Sequence, residues 1–167
     1  MQVVRAISAS LFALTLVAGS AFAGVAEAPP KVNNDNGPPI QFYTDLSAEE
    51  ESAITDSPGT GHVEFELERK TLKLSWKLTY SNLTSPPTSV SLHGPQNPGG
   101  NAGVVVNMSP KGVTNPLVGE AVISDGILAY LMSDRLYVNV FTTKYKEGGE
   151  LRGQLKRRRP EDVKPRS

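Results

Sequence analysis

From residue 62 to residue 80 the chain alternates apolar and polar positions. "HVEFELE" sets Val63, Phe65 and Leu67 against His62, Glu64, Glu66 and Glu68. "TLKLSWKLTY" sets Leu72, Leu74, Trp76, Leu78 and Tyr80 against Thr71, Lys73, Ser75, Lys77 and Thr79. A period of two places one face of a strand in a core and the other in water. "ERKT" between the runs predicts a hairpin connection. Glu on one outward face beside Lys on the next predicts weak cross-strand ion pairs.

Shorter apolar runs follow the same logic: "IQFYTDL", "SVSLH", "GVVVNM", "LVGEAVIS", "RLYVNVFTT" and "GELRGQLK". Turn-forming clusters separate them, among them "SPGTG", "NLTSPP", "GPQNPGGN", "SPKGVTNP" and "KEGG". One segment, "SDGILAYLMSD", carries helical spacing. Ser124 or Asp125 can cap it, and Ile127, Tyr130 and Leu131 share a face. Many short strands joined by turns predict an all-β fold, an antiparallel sandwich or barrel of about seven to nine strands with one short helical turn. Trp76, Phe65 and Tyr137 are the largest expected core side chains.

The ends differ from this middle. Residues 1–23 read as an export signal: Arg5 in a short n-region, an apolar stretch too short to span a bilayer, and small residues at Ala21 and Ala23. Residues 24–39, dense in Pro, Asn and Gly, read as a linker, and residues 157–167 as a basic disordered tail. The folded domain is expected over residues 40–156. Export implies a periplasmic or extracellular location, with no membrane span in the mature chain.

Composition narrows the chemistry. Cysteine is absent, so neither disulfides nor thiolate ligands are available, and an exported domain must hold itself by its core. Lys plus Arg equals Asp plus Glu at 17 each, which gives no global attraction for nucleic acid. "KRRR" at 156–159 is a local basic patch diluted by Glu161 and Asp162.

Candidate sites are few. His93 ends an apolar run and opens a Gly/Pro/Asn loop, as a metal ligand would, yet zinc or copper needs three or four converging donors. The chain offers only one other histidine, His62. The simpler expectation is that His93 bonds a nearby backbone carbonyl or Asn139. "NPGGNAG" lacks the following helix that a phosphate cradle requires. Asp45, Glu49, Glu50 and Glu51 are the residues a weak calcium site would use, without a loop signature. Glu150 and Arg152, at i and i+2, point to the same side of a strand and read as its polar face. No catalytic set converges: there is no Gly-x-Ser-x-Gly elbow, and a triad would have to use His62 or His93.

In order, "FYTDLSAEEES", "GTGHVEFELE", "LKLSWKLTYSNLTSP", "SVSLHGPQNPGGNAGVVV" and "RLYVNVFTTKYKEGGELRGQL" resemble the CHRD domain found in chordin and in secreted bacterial proteins. The resemblance spans Gln41 to Leu155, and "LYVNV" followed by "GELRGQL" is its most specific part. It implies an immunoglobulin-like Greek-key arrangement, secretion and an interaction role, without implying a reaction. The family-motif positions are His93, Gly94, Tyr137, Asn139, Glu150 and Gly153.

This chain departs from the pattern at Ser91 and Phe141, where the family commonly has histidine, and "EEESAI" lacks the usual Pro. The resulting expectation is an exported, non-enzymatic binding or structural module for an unidentified protein or extracellular partner, with no cofactor. The alternative is a metal or redox protein using a reduced histidine site around His93.

Overall fold

The computed structural model describes residues 37–159 and 162; the expected signal and most of the expected linker lie outside them. Nine strands and one helix form: β1 (Ile40–Ser47), β2 (Thr60–Glu68), β3 (Lys73–Ser81), β4 (Pro87–His93), β5 (Val104–Asn107), β6 (Leu117–Val122), α1 (Asp125–Met132), β7 (Tyr137–Thr142), β8 (Leu151–Gln154) and β9 (Lys156–Arg157). All pair antiparallel in one sheet, ordered β5-β4-β7-β8-β1-β2-β3-β6, with β9 beside β1. The sheet curls into a nearly closed barrel whose terminal strands are β5 and β6. Crossings from β3 to β4, β5 to β6 and β6 to β7 give it Greek-key character.

The alternating runs fold as their period requires. Val63, Phe65 and Leu67 of β2 and Leu74, Trp76 and Leu78 of β3 point into the core. Phe65 lies opposite Trp76, with ring centroids 6.3 Å apart. Leu72 departs from the expectation: it sits in the turn with φ 54°, so the strand begins one residue later. The ion pairs also run differently, for Lys73 reaches Glu120 on β6 at 3.3 Å and Glu64 is taken by Arg158 at 2.9 Å. β9 and Arg158, whose amide donates to the Gln41 carbonyl, carry the ordered chain past Lys156 into the stretch expected to be tail.

Helix α1 is capped by Ser124, whose side chain accepts from the Ile127 amide. Its buried face is Leu128 and Leu131, with Ile127 half-buried and packed against the core; Tyr130 turns outward, against the sequence expectation. Spacing at i, i+3 and i+4 admits two overlapping faces, and burial of both leucines selects this one.

Strands β7 and β8 are different in kind, because they are buried on both faces. Val138 and Val140 face the core, while Tyr137, Asn139 and Phe141 face the other way. Tyr137 is buried but belongs to that second layer, so the expectation of a core tyrosine is corrected. Register continues the layer sideways: Ser91 of β4, Asn139 of β7 and Arg152 of β8 lie in one row, and His93, Tyr137 and Gln154 in the next.

Close strand contact is enforced by Gly153. A Cβ there would overlap the Asp45 carbonyl oxygen and crowd the Thr44 hydroxyl, so β8 lies against β1 only because no side chain intervenes. The obstacle is backbone and cannot swing aside. Gly153→Ala is expected to cost about 2–3 kcal/mol in urea unfolding, at the upper end of ordinary overpacking.

A polar layer roofed by loops

The second face of β4, β7 and β8 is the candidate functional site. Its outer side is covered by residues 48–59, which join β1 to β2, by residues 94–103, which join β4 to β5, and by residues 143–150, which join β7 to β8. Loop backbones carry polar groups that need partners when covered, and the layer's side chains supply them.

Arg152 is the centre. It is 1% exposed, so its guanidinium must find its partners within the protein. One guanidinium nitrogen, Nη2, donates to the Gly100 carbonyl at 2.7 Å and Nη1 donates to Asn101 Oδ1 at 3.3 Å. The guanidinium also lies 3.6 Å from the Tyr137 ring centroid. Tyr137 completes the hold on this loop: its hydroxyl accepts from the Ala102 amide at 3.0 Å and donates to the Ala102 carbonyl at 3.3 Å.

His93 stacks on Tyr137, with centroids 5.0 Å apart and planes within 15°, and lies 5.9 Å from the Phe141 ring. Its Nδ1 donates to the Ala102 carbonyl at 3.0 Å. Burial lowers its pKa from the ordinary value, the Ala102 carbonyl opposes this, and the Arg152 charge adds to the lowering. The ring is therefore neutral near pH 7, with the proton on Nδ1. Its Nε2 is buried and has no hydrogen-bond partner among the described residues.

Glu150 anchors a second set of loops. It is fully buried, and its Oε1 accepts from the Ser57 hydroxyl and the Thr84 amide, both at 2.6 Å. Its Oε2 accepts from the Thr142 hydroxyl at 2.6 Å. Burial pushes its pKa up, but these bonds together outweigh it and hold the carboxyl below its ordinary value. Glu150, just before β8, and Arg152, within it, bond different loop groups, and both are buried anchors.

The remaining motif positions also hold loops. Asn139 donates to the Gly148 carbonyl at 3.0 Å. A side chain at Gly94 would run into Leu136 and the Arg135 carbonyl. Gln154, which the motif left out, donates to the carbonyls of Gln96 at 3.0 Å and Asp134 at 2.9 Å. The loops are further tied to each other: Ser52 donates to Asn101 at 2.9 Å, and Asp56 is clamped by Tyr145 and Lys144.

Glu51 was legible only as one acid in an acidic run. Both its carboxyl oxygens are buried without a hydrogen-bond partner among the described residues. Burial raises its pKa to about 7, against the pull of the Arg152 charge and of the nearby Ser52 backbone and Asn139 amide, which lie outside hydrogen-bond geometry. A raised carboxyl stabilises the fold fully below its ordinary value of 4.5 and loses that contribution as pH climbs to about 7. Wild-type stability relative to Glu51→Gln is therefore expected to fall between pH 4.5 and 7 and then level, as urea melts across that range would measure.

Asp45, Glu49, Glu50 and Glu51 do not form a cation cage. Asp45 is paired with His62 at 2.7 Å, so the second histidine is held on the β1–β2 face, away from His93. Among the described residues no group of three or more His, Asp or Glu side chains is placed to hold a metal ion. No helix among them is long and apolar enough to cross a membrane.

A nearly closed antiparallel barrel, with one sheet face turned into a polar layer that fastens loops, defines a loop-presenting β-domain. The CHRD domain matches residues 42–155, and the chain belongs to that family. CHRD domains are typical of extracellular and secreted proteins. No curated protein and no solved structure matches the chain.

Proposed function

We propose that the protein is an exported, non-enzymatic binding or structural module of the cell envelope or extracellular space, which recognises a partner through the loops over the polar layer. The observation that carries this reading is how the layer's groups are used. Arg152, Tyr137, His93, Glu150 and Asn139 each bond loop groups rather than lining an open cleft, and Gln154, at the wall of one, also bonds two loop carbonyls. Groups spent in this way pre-organise a surface, which lowers the ordering cost of binding.

Ile54, fully exposed in the 48–59 loop between the Ser52–Asn101 and Asp56–Lys144 ties, is the residue best placed for contact. A photo-crosslinker at Ile54, in protein exported by its native host, is expected to capture a discrete adduct that the same group at Glu66, on the outer sheet face, does not. Turnover of hydrolase or redox substrates by the purified protein, abolished by His93→Ala, would count against the reading.

A further inference from the structure

We propose that β6 is the interface of a weak symmetric dimer in which two copies of the chain join their β6 strands antiparallel about Glu120. The two terminal strands of the barrel are not equivalent. β5 has four residues and pairs with β4 across a register shift at Leu92/His93, and short, irregular edges are poor templates for pairing. β6 has six residues in unbroken register with β3, and it contains no Pro, Lys or bulge. Its single charge, Glu120, is paired with Lys73 of its own chain, so the edge is not blunted by an unpaired charge.

The free groups can be assigned from register. The Ile123 amide donates to the Leu72 carbonyl, so by alternation Ala121 and Gly119 also turn their backbone groups toward β3. Val118, Glu120 and Val122 therefore turn theirs to the open edge, where no partner is found among the described residues. The same three residues place their side chains on the outer face, and Val118 and Val122 are 67% and 73% exposed.

Antiparallel self-pairing about Glu120 puts Val118 opposite Val122 twice, on one face, and forms about six ladder bonds, two at each of three residue pairs. The central glutamates would repel each other alone. Each already carries its own Lys73 at 3.3 Å, so the centre holds two acids and two bases. The pairing is thus complementary in hydrogen bonding, apolar contact and charge. A six-residue edge buries less than the roughly 1,200 Å² of a standard interface, which makes the dimer weak and concentration-dependent.

The absence of cysteine makes the test direct. In the proposed register Glu120→Cys places two thiols on the twofold axis, with Cα atoms about 5.5 Å apart, within disulfide range. Mild diamide treatment of the otherwise intact protein is expected to convert E120C to a covalent dimer. Thr88→Cys, at an exposed position on β4, should yield only background. Sedimentation equilibrium is expected to show a monomer–dimer equilibrium for the wild type, at least tenfold weaker for Val118→Lys. All three positions are exposed, so folding is not at stake, and circular dichroism checks it. E120C crosslinking no faster than T88C, a wild type that stays monomeric at about 100 μM, or open-ended oligomers instead of a closed dimer would each overturn the proposal.

Discussion

Arg152→Ala is expected to lower stability by about 3–4 kcal/mol, the largest effect of any single change in the polar layer. Two charge-assisted bonds to the 94–103 loop disappear, the Tyr137 ring loses the cation on its face, and a cavity opens beneath covered backbone. Arg152→Lys separates these causes. It keeps the charge but cannot span Gly100 and Asn101 with a planar fork, so it should recover about half of the loss. Hydrogen exchange gives a readout that global stability does not: the Ala102 amide, bonded to Tyr137, should lose protection in both variants before the amides of β2 and β3 do.

Glu150→Ala should follow closely, at about 3 kcal/mol, because it strands the Thr84 amide and the Ser57 and Thr142 hydroxyls at once. Glu150→Gln should cost only about 1 kcal/mol, since hydroxyls can rotate to accept from the new amide while its oxygen serves Thr84. The two also differ with pH. The Glu150 carboxyl is held below its ordinary value, so its contribution is present above 4.5 and is lost as pH falls through the folded-state pKa. Urea melts descending from pH 5 should therefore converge for wild type and E150Q. This window lies on the acid side of the one set by Glu51, so the two carboxyls can be read separately.

How much of this was legible depends on where water lies. β2 and β3 were readable residue by residue because one face is wet, and solvent writes a period of two into the sequence. β7 and β8 have no wet face. Tyr137 therefore passed for core, and Glu150 and Arg152 for the polar face of a strand, since a polar side chain in a sequence does not say whether its partner is water or a loop carbonyl. The loop groups that decide this, at Ser57, Thr84, Gly100 and Asn101, lie 51 to 93 residues away, a distance that local pattern does not bridge. The fold and family were legible from the order of pieces, and the match over residues 42–155 coincides closely with it. The departures at Ser91 and Phe141 also acquire a physical meaning. Both sit on the β4–β7 face beside His93, and Phe141 meets that histidine with an aromatic ring instead of a second donor.

The way the loops are fastened has a consequence for where the domain can work. Secreted domains of this size commonly fix their loops with disulfides, and so depend on an oxidising compartment and on enzymes that make and correct those bonds. Here a buried guanidinium and a buried carboxylate do the fastening from beneath the loops, in a chain without a single thiol. Its loop geometry is indifferent to redox potential. The same surface forms under reducing and oxidising conditions alike, and what it answers to instead is the proton.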